Sequence, residues 1–318
     1  MSTRLRIVFL GSGAFGVPTL RWLASRHSVV GVVSQPDKPA GRGGALTPTP
    51  IAAVAEQELA GVPLIRTMDV NEPGTVGMLH GLMADAWVVI AFGQKLSRGL
   101  LEGQRAMNLH ASLLPRWRGA APIHAAMVAG DPVTGNSVIT LADKMDAGLV
   151  LAQSEHAIGP TATMAEMHDV LAADGPALVG KVLERASAEW PFGEVQDPAR
   201  VTLAGKLSKA DGWVDFGADG EVCRRRINGL SPWPGVTATF RGESLRLLRA
   251  APARGHGAPG AVIDAAAGTV ACGPGSAIRL MEVQPSGKRA MTWAEFANGK
   301  RIVAGELIAG ISNGESAC

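Results

Sequence analysis

The chain has 318 residues, 47% of them hydrophobic and 18% charged, which excludes a disordered protein and exceeds what one ordinary core accommodates, so two domains are expected. The formal net charge of +2 is unevenly spread: residues 206–318 hold 14 Lys and Arg against 10 Asp and Glu, whereas residues 1–205 hold 16 against 18. The basic excess in the last third points mildly to a polyanionic partner there.

Arg6 to Leu10 reads as a buried strand of a parallel sheet. It runs into Gly11-Ser12-Gly13-Ala14-Phe15-Gly16 and then a helix with Leu20, Leu23 and Ala24 on one face; Val29 to Ser34 is the second strand. This βαβ unit carries a formal dinucleotide fingerprint. Gln35 stands where a nicotinamide site needs an acid, and the competing reading is a tight turn that needs glycine for its backbone alone. Gln35 to Gly44 is a long loop carrying Lys38 and Arg42, either a solvated connection or an arm toward an anionic substrate. Thr49-Pro50 caps a helix filled by Ala52, Ala53, Val54 and Leu59. Pro63 to Arg66 is a short strand, a helix follows through Met78, Leu79 and Leu82, and Ala86 to Phe92 is a fully apolar strand ending in Gly93-Gln94. Ala106 to Leu109 is the next strand. Ligands of open parallel sheets sit beyond the carboxyl ends of the strands, where Gly93 and Asn108 both fall.

The run from Asn108 to Pro122 places an amide, an imidazole, a hydroxyl and two guanidiniums close together. Asn108 and His110, two residues apart, leave a strand on the same face. One is a neutral donor and acceptor, and the other exchanges a proton near neutral pH. Such a pair can hold a developing oxyanion and move a proton, as acyl transfer to an amine requires. Leu114-Pro115 forces an extended or turned backbone, a cis bond is expected there, and Gly119 releases the chain into a helix near Pro122.

Ser137 to Ala142 is a further strand, followed by a turn from Asp143 to Gly148 and a strand from Leu149 to Ile158. On its own, Asp146 two residues before a glycine is ordinary turn chemistry. Thr163 to Glu189 is a long helix, and residues 191–210, with scattered Pro and Gly, are expected to be a linker. Beyond it, Gly212 to Phe216, Val236 to Phe240, Ser244 to Ala250, Ala261 to Asp264, Thr269 to Cys272 and Ala277 to Val283 are short strands at turn-punctuated spacing. They predict a small OB-like β-barrel, with helices at Glu221 to Asn228 and Thr292 to Ala297. Its cations include Arg224, Arg225, Arg226, Lys288, Arg289, Lys300 and Arg301, a nucleic-acid surface or an ordinary solvated face. The expected fold class is α/β: an N-terminal Rossmann-like doubly wound sheet plus a C-terminal OB-like β-barrel domain. The expected divisions are 1–190, a 191–210 linker and 211–318.

Cys223, Cys272 and Cys318 are odd in number and far apart, which supports neither a disulfide framework nor a zinc site and fits reducing cytoplasm. His80, His124, His156 and His168 have no metal-like spacing, and no metal is expected. With no basic-then-apolar leader and no apolar run longer than that near Trp87 to Phe92, no membrane contact is expected either.

With these residues laid out, the chain resembles the folate-dependent formyltransferases over almost its whole length. Asn108-x-His110-x-Ser112-Leu113-Leu114-Pro115-Arg116-Trp117-Arg118-Gly119-Ala120-Ala121-Pro122-Ile123 is similar to the family signature, and Met145-Asp146-Ala147-Gly148 is similar to its Asp-containing turn. Gln35 to Gly43 resembles the loop that approaches a tRNA acceptor end. Lys206 to Gly212, Asn228 to Gly235 and Gly287-Lys288-Arg289-x-Met291 are similar to the tRNA-formylating branch, and are not expected in the single-domain purine-pathway enzyme. The resemblance implies transfer of a formyl group from 10-formyltetrahydrofolate, a cosubstrate, to the α-amine of methionyl-initiator tRNA. By motif position it implies Asn108, His110 and Asp146 as catalytic residues and Ser112, Leu113, Leu114 and Pro115 as the folate segment. Lys38, Arg42, Lys206, Lys209, Lys288 and Arg289 are the expected tRNA contacts, and a monomer is expected. Three places depart from the family pattern: Gly11-Ser12-Gly13 where Gly-Thr-Pro is more usual, no lysines after Gly43, and Leu149-Val150-Leu151 where many relatives have Asp-Thr-Gly. The competing expectations are a formyltransferase acting on an amino-sugar nucleotide, a nicotinamide oxidoreductase, and a pure RNA-binding protein. The first is disfavoured by the Lys-Arg-x-Met segment, the second by Gln35, and the third leaves the Asn-x-His run without purpose.

Overall fold

The computed structural model describes residues 4–40 and 44–310. They form two compact units. One takes in the chain up to Arg118, Gly135–His156 and His168–Leu203; the other takes in Gly119–Thr134, Ala157–Met167 and the chain from Ala204.

The first unit is built on a seven-stranded sheet in the order Val150–Ala157, Val133–Thr140, Ala106–His110, Ala86–Ile90, Arg6–Gly11, Ser28–Ser34, Leu64–Arg66. The five strands from Ala106–His110 to Leu64–Arg66 are parallel. Val133–Thr140 runs antiparallel to Ala106–His110, with His110 opposite Ser137. Ile7, Val8, Phe9, Leu10, Trp87, Val88 and Ile90 are all fully buried. Both faces of the central strands are therefore covered, which is why their sequences are uninterrupted apolar runs without alternation. Arg6–Gly11 has Ser28–Ser34 on one side and Ala86–Ile90 on the other, so the winding reverses at this strand and opens a crevice at its carboxyl end.

The glycine-rich turn after that strand is explained by the chain itself. The amides of Ser12 and Gly13 both donate to the carbonyl of Ala91, at 3.2 and 3.3 Å. A Cβ on Gly11 would stand 2.7 Å from Phe9 Cε1 and 2.8 Å from the Ile90 carbonyl oxygen. Amides that a pyrophosphate would need are spent on Ala91, which argues against a dinucleotide there. The stretch from Gln35, expected as an irregular loop, contains a short hairpin in which Lys38–Ala40 pairs with Ala45–Thr47. Arg42, an expected tRNA contact, lies outside the described residues.

The second unit holds a curled antiparallel sheet in the order Val262–Asp264, Thr269–Cys272, Ser276–Pro285, Glu243–Ala253, Val236–Phe240, Ile308–Gly310. The two ends of this path meet. Val262 N donates to Glu306 O and Ile308 N to Gly260 O, each at 2.8 Å, and Ala261 bridges Leu307. Val236, Leu247, Val262, Val270, Ile278 and Val283 fill the interior at 0% exposure. Val236–Phe240 alternates buried and half-buried positions, as the two-residue period requires. The helix Gly220–Gly229, capped by the Asp219 side chain, turns Cys223 and Ile227 into that interior. Gly212 to Phe216 is not the expected strand. Val214 and Phe216 are buried like inward strand residues, but the backbone forms no ladder: Thr237 N, in the Val236–Phe240 strand, donates to Gly212 O, and Gly273 N, in a turn, to Phe216 O. Among the described residues, no helix is long and apolar enough to cross a membrane.

Candidate active site

The strand Ala106–His110 is buried except at Asn108, which is half-buried. Leu109 faces the helix Met164–Ala186, where a Cβ on Gly175 would stand 2.8 Å from its Cδ2. Alternation then sends Asn108 and His110 to the other face. His110 is 7% exposed. Its Nε2 lies 2.9 Å from the carbonyl oxygen of Trp117, and its Nδ1 lies 3.6 Å from Oδ2 of Asp146. A carbonyl only accepts, so Nε2 carries a hydrogen and Nδ1 is left facing the carboxylate. The ring is thus held from both ends. The Asn108 carboxamide makes no hydrogen bond among the described residues, and its donors remain available.

Asp146 has a φ of +52°, in the left-handed region that side chains other than glycine seldom adopt. Such a conformation persists where its surroundings over-determine it, and here they do. Thr140 N donates to Leu149 O at 3.0 Å, and Leu149 N to Thr140 Oγ1 at 2.9 Å. A Cβ on Gly148 would stand 1.7 Å from the Thr140 carbonyl oxygen, so no larger residue fits without movement. Gln196 Nε2 donates to the carbonyls of both Asp146 and Gly148, each at 2.8 Å. Its Oε1 accepts from Nε and Nη2 of Arg118 at 3.0 and 2.8 Å. Leu149-Val150-Leu151, which departs from the family pattern, leads straight into the strand Val150–Ala157.

Ser112, Leu113, Leu114 and Pro115 form a locked loop after His110. Ser112 Oγ donates to Arg116 O at 2.7 Å. Ser137 Oγ donates to Ser112 O at 2.6 Å and accepts from Leu114 N at 3.0 Å and from Gln153 Nε2 at 2.8 Å. Leu114–Pro115 is cis, Leu114 is buried, and Leu113 and Pro115 stay half-buried. Trp117, whose carbonyl holds the imidazole, is anchored by its own amide to Thr202 Oγ1 at 2.9 Å.

The structure therefore brings His110 and Asp146 together, puts Asn108 on the same strand face, and sets the 112–115 loop directly beyond. Lys38 donates to Gln35 Oε1 at 2.8 Å in the first unit. In the second, Lys206, Lys209 and Lys288 are exposed, and Arg289 is exposed with Glu295 3.4 Å away. Arg226, counted among the surface cations, stacks over Trp213 at 3.6 Å and donates to the carbonyls of Trp213 and Asp211, a packing role. Sequence reasoning missed Ser137, Gln153, Gln196 and Thr202. Each is a single polar residue far along the chain from the loop it holds, and no spacing marks it. Among the described residues, no three His, Cys, Asp or Glu side chains gather as a metal-ligand set. Chemically, an anchored imidazole, a carboxylate beside it and a carboxamide with free donors suit acyl transfer to an amine.

A formyl transferase family model matches residues 5–183, and a formyl transferase C-terminal domain model matches residues 206–301. The chain is 42% identical over 301 residues to a methionyl-tRNA formyltransferase of Paracoccus denitrificans, covering 94% of this chain and 98% of that protein. It is 39% identical over 310 residues to the methionyl-tRNA formyltransferase of Methylococcus capsulatus, covering 94% and 99%. Among solved structures, HypX from Aquifex aeolicus in complex with tetrahydrofolic acid superposes with a TM-score of 0.64 at 17% identity; 93% of this chain is covered and 47% of HypX, so this chain spans about half of that protein. An N-formyltransferase from Helicobacter canadensis, in complex with folinic acid and dTDP-3-aminofucose, superposes with a TM-score of 0.65 at 12% identity over 88% of this chain and 99% of that one. These structures share the fold, whereas the sequence relatives share the whole chain at well over a third identity. The chain belongs to the methionyl-tRNA formyltransferase family.

Proposed function

We propose that this chain transfers the formyl group of 10-formyltetrahydrofolate to the α-amino group of methionyl-initiator tRNA. The observation that carries the reading is the His110–Asp146 pair, 3.6 Å apart, at the carboxyl end of the strand that also presents Asn108. The residues suit a folate: the Asn108 carboxamide, without a hydrogen bond among the described residues, adjoins a loop in which Ser112 Oγ, Ser112 O and Leu114 N are bound internally, leaving Leu113 and Pro115 partly open to the face of a heterocyclic ring. The folate supplies the formyl carbon. Asn108 donates a hydrogen bond to the formyl oxygen as it becomes negative, and the protonated His110, whose two N–H groups face the Trp117 carbonyl and Asp146, stabilises the same charge through space. The amine attacks the formyl carbon, and as the bond from that carbon to the folate nitrogen breaks, Asp146, paired with the charged imidazole, helps move the amine proton to that nitrogen, directly or through water. No step calls for a metal.

In this proposal residues 1–190 perform the transfer, residues 211–318 bind tRNA, and 191–210 join them. Lys38, Arg42, Lys206, Lys209, Lys288 and Arg289 contact phosphates. The enzyme acts as a monomer in the cytoplasm.

Incubation with labelled 10-formyltetrahydrofolate, offered methionyl-initiator tRNA and a dTDP-linked amino sugar side by side, tests the reading. Label on the tRNA is expected. Label on the sugar nucleotide and none on the tRNA would replace the acceptor, and label on neither would remove the activity.

A further inference from the structure

We infer that Gln196 is a positioning residue for the reaction proposed above: its side-chain amide sets the gap in which the His110 imidazole works. The inference rests on the formyl-transfer reading. Arg118 can only donate, so the Gln196 atom facing it is the oxygen, and the amide's orientation is fixed without ambiguity. Both N–H groups then point at the carbonyls of Asp146 and Gly148, at 2.8 Å each. The group is 7% exposed, and its acceptor and both donors are engaged.

Its position in the network gives it more than a packing role. His110 is held on one side by the Trp117 carbonyl and faced on the other by the Asp146 carboxylate. Arg118 follows Trp117 directly in the chain. Gln196 therefore bridges the two segments that grip the imidazole, one through Arg118 and the other through the Asp146 backbone. Asp146 sits at φ +52°, and losing both Gln196 donors removes two of the hydrogen bonds that hold the turn there, so that it can rotate toward an ordinary φ. That rotation would swing the carboxylate away from Nδ1. With its acceptor and both donors engaged inside the protein, Gln196 acts through Asp146.

Single-turnover formylation of methionyl-tRNA tests this with Gln196→Glu and Gln196→Met, each in the natural chain and with Asp146→Asn. The Glu variant keeps shape and the acceptor for Arg118 but loses both donors; the Met variant keeps bulk and loses all polarity. A misplacement of about 1 Å typically costs on the order of a hundredfold. We expect each variant to slow the natural chain by about ten- to a hundredfold. The KM for methionyl-tRNA and the Kd for tetrahydrofolate should stay within about twofold, since Gln196 is buried with its polar atoms all engaged inside the protein. In the Asp146→Asn chain the same changes should cost less than about twofold, because the group being positioned is already gone. An equal loss in both backgrounds would mark a merely structural residue and overturn the inference, as would an unchanged rate. Should Gln196→Glu melt early, Gln196→Met carries the comparison. If the natural chain itself fails to formylate the tRNA, the reaction is wrong; if it is active and the Gln196 variants match it, only the positioning role is.

Discussion

His110 sits between a carbonyl that must receive a hydrogen and a carboxylate that can pair with one, and that arrangement is set by single residues several strands apart. Ser137 shows how much one hydroxyl can do. It donates to Ser112 O and accepts from Leu114 N and Gln153 Nε2, so all of its capacity is used inside the protein. Ser137→Ala leaves the Ser112 carbonyl without that donor and removes an acceptor shared by two N–H groups. The expected cost is about 1–3 kcal/mol, read as a lower urea midpoint at unchanged slope. A midpoint equal to that of the natural chain would show that the loop is held by other contacts. Gly148 makes the opposite point, since there it is the absence of a side chain that matters. Gly148→Ala puts a Cβ where the Thr140 carbonyl oxygen stands, so the Asp146 turn must move. Turnover is expected to fall by about a hundredfold or more, and a rate within about threefold of normal would show that the turn tolerates displacement.

At the scale of elements, the Met164–Ala186 helix begins with a Thr-x-x-Glu box. Thr163 N donates to Glu166 Oε2 at 2.9 Å and Glu166 N to Thr163 Oγ1 at 3.4 Å. Arg249 reaches the same carboxylate at 2.6 Å. The Arg249 hydrogen bonds, helped by the Thr163 amide and opposed by burial, hold the Glu166 carboxyl below its usual range. Stability from this group is therefore complete above the unfolded carboxyl range, near ~4.3, and fades as pH falls through the lowered folded value. Glu166 is half exposed, so the contribution is under about 1 kcal/mol. Glu166→Gln should lower the thermal midpoint at neutral pH and converge with the natural chain once pH falls below the lowered carboxyl range. A gap that persists in acid would assign the effect to packing. The central strands were there to be read in the sequence, because Ile7 to Leu10 and Ala86 to Ile90 are unbroken apolar runs. Asn108 and His110 were legible for the same reason: a two-residue spacing has one meaning on a strand. Asp146 was not, since Asp before glycine is common turn chemistry, and only the likeness of its turn to a known family singled it out. Gln196 left no trace at all, being one amide in a proline-scattered stretch 50 residues from the turn it holds. Gly212 to Phe216 misled because buried alternation predicts inward side chains and says nothing about which backbone groups pair.

For the whole molecule, the proposal requires a polyanion to bind the basic excess of the C-terminal third. Phosphate contacts release counterions, so the Kd for methionyl-tRNA should rise steeply with salt. Lys288→Ala and Lys209→Ala should each reduce the log–log salt slope by about 1 while leaving the turnover of bound substrate unchanged. A slope that does not move would place the tRNA elsewhere on the surface. The transfer step itself depends on Asn108, His110 and Asp146 acting on one reacting carbon. The most direct measurement is the single-turnover rate of formyl transfer to methionyl-tRNA by Asn108→Ala at saturating folate and tRNA. A loss of about a hundredfold or more with an unchanged melting temperature is predicted, and a rate near that of the natural chain would contradict it.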